Sequence, residues 1–239
     1  MANRVCASYD QAGILILDKA VDAKSAELFL RTSWGESICD QYEALQDFLE
    51  DWQTPWKRGK EFFIHFGRLY KMARRHHRKR IGIVSGGQTG ADRAALDVAI
   101  DLGLPYGGWV PKGGWAEDQP TPPGLLARYP NMREADSPEP AQRTRLNVRD
   151  STATVILIAG ASTSPGTDLT RDEARKRRRP HKIVDVDDPN AAELIKNWLR
   201  QIDYLHVLNV AGPRESESPG LYDKARRLLH EVLADCSAG

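Results

Sequence analysis

The chain of 239 residues has little cysteine, no long apolar run and almost no net charge. Its three cysteines, Cys6, Cys39 and Cys236, are scattered, which argues against a disulfide framework and against a cysteine metal site. No apolar stretch has the length that spans a bilayer, and Met1 is not followed by a signal-peptide core. The formal net charge of +1 indicates no class of partner. These features predict a cytoplasmic protein that does not enter a membrane.

Residues 1–80 differ in pattern from the rest and predict a mainly helical extension of unknown role. The apolar run 14–17 predicts a short strand, a helical pattern follows with a break near Gly35, and a further helix is expected over about 57–75. The basic run 71–80 favours a solvated helix end, because cations suit the helix dipole there. Nucleic-acid binding is the less favoured alternative, since neither interleaved aromatics nor a DNA-binding motif supports it.

From residue 81 onwards, short apolar runs alternate with amphipathic helical patterns, which is typical of an α/β fold. Strands are expected over 81–84, 106–110, 154–158, 182–186 and 206–210. Their order predicts a mostly parallel sheet with helices on both faces. We expect residues 81–239 to form one domain. The long loop 111–136, rich in Gly and Pro, is expected to be a lid, a binding loop or a disordered segment.

The stretch Ser85-Gly86-Gly87-Gln88-Thr89-Gly90 joins the first predicted strand to a helix. A glycine turn before a helix N-terminus presents free N–H groups and the positive end of the helix dipole to an anion. A tight turn without a ligand is the alternative, but a similar loop recurs at 160–167. In a parallel sheet both loops open at the carboxyl edge of the strands, together with loops 111–118 and 211–219.

These loops supply the candidate residues for an oxyanion or a nucleotide-like ligand. Arg214 and Lys112 can add positive charge, the arginine as a bidentate fork and the lysine as a point charge. The ligand-binding candidates are Gly86, Gly87, Gln88, Thr89, Gly90, Lys112, Gly166, Thr167 and Arg214. The candidates for acid/base catalysis are Asp92, Asp118, Asp150 and Glu215. For each of these carboxylates, capping a helix or pairing with a cation is the more common role.

Three familiar ligand sites are not supported by the motifs. The glycine turn lacks the Lys-Ser/Thr end of a P-loop, which argues against NTP hydrolysis of that kind. The strand expected at 106–110 ends without the acidic residue that binds a ribose hydroxyl, which argues against NAD or FAD. No His, Cys or carboxylate cluster has zinc spacing, so no metal site is predicted.

Five blocks of sequence, in the right order, resemble the family of putative molybdenum carrier proteins, a circularly permuted branch of the SLOG superfamily of Rossmann-like domains. The blocks lie within 85–97, 107–118, 143–151, 166–170 and 208–222. The resemblance covers about residues 81–234. It implies a Rossmann-like sheet and a pocket for molybdate, molybdenum cofactor or a nucleotide-derived ligand. It also implies self-association as a homodimer.

The wider superfamily includes phosphoribohydrolases, and their catalytic glutamate would align with Thr170. A threonine cannot act as a carboxylate acid/base at neutral pH, so glycosidic-bond hydrolysis would need Asp172 or Glu173 instead. The leading hypothesis is therefore a binding protein for an oxyanion or nucleotide-like ligand. Two alternatives stay open: a nucleotide-processing hydrolase, and a nucleotide sensor that interacts through residues 1–80.

Overall fold

The protein is described here from a computed structural model. The residues that it describes are 2–17, 21–45, 64–74, 81–160, 164–202 and 205–237. The chain divides into two compact units, residues 1–79 and 80–239. Within the described ranges, every helix is too short or too polar to cross a membrane.

The described part of the first unit is helical. Its helices are α1 (Ala2–Leu17), α2 (Ala23–Leu30), α3 (Ser33–Ala44) and α4 (Ile64–Arg74). Stacked rings join α4 to its neighbours. The ring centroid of Tyr9 in α1 lies 4.9 Å from that of Phe66, and the ring centroid of Tyr42 in α3 lies 4.2 Å from that of Tyr70. Such offset aromatic pairs add to the free energy of burying the rings. Aromatic packing is thus a main part of the core of this unit.

One prediction for the first unit is wrong. Residues 14–17 form the end of α1 rather than a strand, because the buried positions of this helix recur at helical spacing through Cys6 and Gly13. Leu15 is therefore 56% exposed. The predicted helix break is present at Thr32, three residues before Gly35, where the Thr32 hydroxyl accepts the N–H of Trp34 and starts a new helix. Most of the basic run 71–80 lies outside the described residues.

The second unit alternates strands and helices. Its strands are β1 (Gly82–Val84), β2 (Tyr106–Gly107), β3 (Trp109–Val110), β4 (Arg133–Glu134), β5 (Ala153–Ile158), β6 (His181–Asp185) and β7 (Val207–Ala211). Its helices are α5 (Ala91–Asp101), α6 (Leu125–Arg128), α7 (Pro140–Arg149), α8 (Pro165–Lys176), α9 (Ala191–Arg200) and α10 (Leu221–Ser237).

Five strands form one parallel sheet in the order β2-β1-β7-β5-β6. Helices α5, α9 and α10 share an apolar core with one face of this sheet, which includes Val155, Leu157 and Leu208. Because successive strand residues point to opposite faces, the buried pair Thr154 and Asn209 lies on the other side. Helices α7 and α8 contribute no residue to the apolar core that α5, α9 and α10 form with the sheet. They pack against each other, and α8 also contacts β5 and β6. The predicted α/β, Rossmann-like fold class is confirmed.

The segment after β1 and α5 differs from the prediction of one strand and one long loop. Gly108, with φ of 126°, divides the run 106–110 into β2, which belongs to the main sheet, and β3, which does not. Strand β3 pairs in parallel with β4, and β4 lies in the expected loop 111–136, which also contains α6. The apolar run could not reveal this division, since both halves are extended and apolar.

Candidate functional site

Three loops meet at the carboxyl edge of the sheet: 85–90, 111–118 and 211–219. The N–H of Glu215 donates to the Thr89 hydroxyl over 3.1 Å, which joins the first and third loops. The N–H of Glu117 donates to the side-chain oxygen of Gln88 over 3.2 Å, which joins the second loop to the first. We call the place where these three loops meet the crevice.

The carboxylate of Glu117 is bound inside the crevice by groups of the other two loops. It accepts hydrogen bonds from the Thr89 hydroxyl, from the Ser216 hydroxyl at 2.5 Å and from the Ser216 N–H at 3.4 Å. Partial burial acts to raise the pKa of Glu117, but these bonds and the positive charge of Arg214 lower it. The donors therefore stabilise a negative charge at this point. The sequence pointed to Thr89 but to neither Glu117 nor Ser216 as a binding residue.

An arginine and an aromatic ring lie beside this bound carboxylate. The guanidinium of Arg214 lies 5.4 Å from the ring centroid of Trp115, within cation–π range. Among the described residues, no carboxylate forms an ion pair with the Arg214 side chain. The Lys112 side chain is exposed, while its N–H donates to the Ser137 carbonyl at 3.0 Å. Arg214 is thus the cation that the described contacts place nearest to Glu117.

The glycine turn keeps unused backbone donors. The N–H groups of Gly86, Gly87 and Gly90 have no acceptor within the part of the chain that the structure describes, although all three residues are buried. Buried N–H groups are nearly always paired with protein, water or a ligand. The turn is therefore suited to binding an anion.

The second predicted binding loop, 160–167, makes different contacts from those of the glycine turn. The Thr167 hydroxyl lies 3.0 Å from the hydroxyl of Ser164, which also accepts the Thr167 N–H at 3.3 Å and caps α8. Thr167 is buried, and Gly166 follows the proline that opens the helix. Residues 161–163 lie outside the described residues. Within the rest of the chain, no hydrogen bond joins Gly166 or Thr167 to the glycine turn.

Three of the candidate acid/base carboxylates are held by structural partners. Asp118 accepts a bidentate pair of bonds from Arg93, at 2.8 and 2.9 Å. The Glu215 carboxylate accepts the N–H groups of Gly220 and Tyr222 at the start of α10, which makes it a helix cap. Asp150 lies outside the crevice loops and pairs with Arg149.

The fourth carboxylate, Asp92, forms a buried ion pair with Arg143 of α7. Their side chains are 4% and 13% exposed, and the guanidinium donates to the carboxylate over 2.9 Å. Burial raises the pKa of Asp92, and the charge of Arg143 with bonds from Ser85 and Gln88 offsets only part of that effect. The Nε of Arg143 is buried without a partner among the described residues. The sequence marked Asp92 as a candidate but gave no signal for Arg143 beyond the resemblance.

The site shows no arrangement that would hold a bare metal ion. In the described ranges, His, Cys, Asp and Glu side chains nowhere gather in threes as metal ligands do. The crevice loops contain no cysteine.

Comparison with known proteins identifies the family. The model of the circularly permutated YpsA SLOG family matches residues 83–233, which is most of the chain. The chain belongs to this family. The crystal structure of a putative molybdenum carrier protein from Syntrophus aciditrophicus SB is similar, with 40% identity and a TM-score of 0.59. The similarity covers 65% of this chain and 96% of that one. No curated protein matches the chain.

The ion pair of Asp92 with Arg143 leaves no room for a side chain at residue 86. A Cβ at residue 86 would lie 1.2 Å from Nη1 of Arg143, so the guanidinium would have to leave the buried carboxylate. We expect Gly86→Ala to lower the free energy of unfolding by about 3–5 kcal/mol, the usual cost of breaking a buried pair. Urea denaturation followed by circular dichroism measures this.

The matched control for Gly86→Ala is Gly166→Ala in the other loop. Its added Cβ would have Ser164 Oγ at 3.9 Å as its nearest neighbour, so we expect a change of at most about 1 kcal/mol. Equal effects of the two substitutions would show that the Arg143 contact is not decisive.

The pairing of Asp118 with Arg93 predicts a pH dependence. The bonds from Arg93 lower the pKa of Asp118, although partial burial opposes them, so the carboxylate stabilises the fold above its ordinary pKa. That contribution is lost as the pH falls towards the lower folded-state pKa. We expect Asp118→Asn to cost about 0.5–1 kcal/mol at pH 7, because the pair is partly exposed.

A series of melting temperatures from neutral to acid pH tests this expectation. The difference between the wild type and Asp118→Asn should shrink as the pH falls. Asp136→Asn is the control, since Asp136 is exposed and has no side-chain contact among the described residues. A difference that grew in acid would contradict the assigned sign.

Proposed function

We propose that this member of the circularly permutated YpsA SLOG family is a binding protein that holds an oxyanion, alone or as part of a larger ligand, in the crevice. The observation that carries the proposal is the Glu117 carboxylate, which is itself an oxygen anion bound by Thr89 and Ser216 beside Arg214. Donors that stabilise this carboxylate have the chemistry that a ligand oxyanion requires. In this proposal Glu117 occupies the position of the ligand in the free protein.

The donor set suits molybdate or a phosphate better than a bare metal ion. Hydroxyl and N–H groups bind the outer oxygens of an oxyanion, whereas direct bonds to molybdenum would use sulfur or other acceptor atoms. The name of the similar structure from Syntrophus aciditrophicus, a putative molybdenum carrier protein, supports molybdate or a molybdenum cofactor as the ligand. The free N–H groups of Gly86, Gly87 and Gly90 would supply further donors.

Trp115 extends the proposal to a ligand with a ring. Its indole lies beside Arg214 at the edge of the crevice, and stacking on an indole stabilises flat heteroaromatic rings. A pterin or a nucleobase attached to an oxyanion would thus contact both Trp115 and Arg214. The same geometry serves the cofactor and a nucleotide-like ligand.

The hydrolase alternative receives less support from the geometry. Asp92, Asp118 and Glu215 are each held by a structural partner, and the Thr170 hydroxyl donates to the Gly166 carbonyl within α8. Of the two substitutes for a catalytic glutamate, Glu173 is buried and bound by Arg177. A general base needs a free lone pair within reach of a substrate proton.

A ligand titration of the full-length chain tests the proposal. We expect molybdate, tungstate or phosphate to raise the melting temperature in a concentration-dependent way, since a ligand that binds only the native state stabilises it. Glu117→Ala should tighten binding about tenfold or more by removing the competing carboxylate, equal to about 1.4 kcal/mol. Arg214→Ala should weaken binding by about tenfold or more.

The control for Glu117→Ala is Glu139→Ala, which removes an exposed carboxylate that makes no side-chain bond in the described structure. It should leave the affinity unchanged. Glu117→Ala could lower the melting temperature of the free protein while no oxyanion raises that temperature. Glu117 would then only hold its loop in place, and the proposal would fail. A shift with nucleotides alone, followed by detectable turnover, would favour the hydrolase.

A further inference from the structure

A groove outside the crevice has no role in the proposed function. Its volume is about 360 Å³, within the size range of small-molecule pockets. It is lined by residues of β1 and β2, including Gly82 and Gly107, and by Gly108, which follows β2. These three glycines add no side chains to it. Its walls include Trp109, Arg133, Asn131, Asn147 and Asp150. None of its lining residues belongs to the three crevice loops, so we name it the Trp109 groove.

The Trp109 side chain is held in place by hydrogen bonds. Its indole N–H donates to the Asp150 carboxylate over 2.7 Å. Its backbone N–H donates to Asn147 Oδ1 over 2.7 Å, and the Asn147 amide returns a bond of 3.2 Å to the Trp109 carbonyl. A ring whose orientation is fixed loses little conformational entropy when a ligand contacts it. The groove therefore has a preorganised aromatic wall.

One cation at the groove, Arg133, has no ion pair among the described residues. The Asp150 carboxylate is neutralised by Arg149, whose Nε and Nη2 lie 2.5 and 2.9 Å away. Arg133 is exposed and lies 5.8 Å from the Trp109 ring centroid. Asp150 affects Arg133 only at longer range. Because Arg149 neutralises Asp150, the charge that is left at the groove is the positive charge of Arg133, which favours an anion.

The shape and the charge together define a class of ligand. A guanidinium binds a carboxylate or a phosphate through two parallel bonds, and its flat face stacks on rings. Asn131 is exposed, and its amide offers both a donor and an acceptor to the edge of a ring. We propose that the Trp109 groove is a second binding site, which takes a small ligand with a flat ring and an anionic group. Arg133 binds the anionic group, and Trp109 with Asn131 contacts the ring.

Calorimetric titration of the full-length protein tests the proposal with two probes. AMP carries a phosphate and 2-aminobenzoate carries a carboxylate, and each joins its anionic group to a flat ring. Adenosine and inorganic phosphate each lack one part of this chemistry. We expect at least one of the ring anions to bind about tenfold more tightly than adenosine or phosphate, because only it makes both contacts.

Substitutions separate this groove from the crevice. Arg133→Gln should weaken binding of the ring anion about tenfold or more. Arg145→Gln is the matched control, since Arg145 is an exposed arginine of α7 without a described side-chain contact. Arg214→Ala weakens binding of phosphate and nucleotides in the crevice, so in this variant the ring anion should still bind, with the affinity of the Trp109 groove. If Arg214→Ala abolishes binding and Arg133→Gln does not, the probe occupies the crevice and the second site is refuted.

An NMR measurement reports on the groove itself. The chain has six tryptophans, and Trp109→Phe identifies the indole N–H signal of residue 109 by removing it. That signal should shift on titration with the ring anion, because the N–H bonds to Asp150 at the wall of the groove. A spectrum in which this signal stays fixed at saturating probe would overturn the proposal, whatever happens at the crevice.

Discussion

The buried ion pair of Asp92 with Arg143 is the interaction on which the arrangement of the crevice depends. It joins the first turn of α5 to α7, and its guanidinium lies where any side chain at residue 86 would be. Two charges buried together are costly to desolvate and stabilise the fold only in one geometry. A pair of this kind therefore specifies the position of the glycine turn more than it adds net stability.

That fixed turn explains why the crevice can bind its own carboxylate. Thr89 extends from the turn, Ser216 from the loop after β7, and Glu117 from the segment between them in the chain. The binding free energy of a ligand that replaces Glu117 is only the difference between the free energy of its own hydrogen bonds and that of the Glu117 bonds it breaks. In the proposed function, such an exchange would favour oxyanions with more oxygens or more charge than one carboxylate, such as molybdate, over simple carboxylic acids. Selectivity of this kind follows from competition within the protein.

The sequence was most informative about elements that depend on residues close together in the chain. The apolar run before Gly86 and the helical spacing after Thr89 predicted β1, the turn and α5, because each depends on residues close in sequence. The binding of the Glu117 carboxylate by Thr89 and Ser216 could not be predicted, since Glu117 is 28 residues from Thr89 and 99 from Ser216. The role of Arg143 could not be predicted for the same reason, because its partner Asp92 is distant in sequence. The strand predicted at 14–17 failed because a short apolar run fits either a strand or one side of a helix.

Helix α7 links the crevice to the Trp109 groove. Arg143 and Asn147 are four residues apart, so they lie on one face of this helix. The first fixes the glycine turn through Asp92, and the second fixes the backbone of Trp109. Because a helix moves as a rigid element, a shift of α7 that alters one contact alters the other. Any coupling of affinity between the two sites would be reciprocal, with equal free energy in both directions. The segment 143–147 thus gives the two proposed sites a direct physical connection.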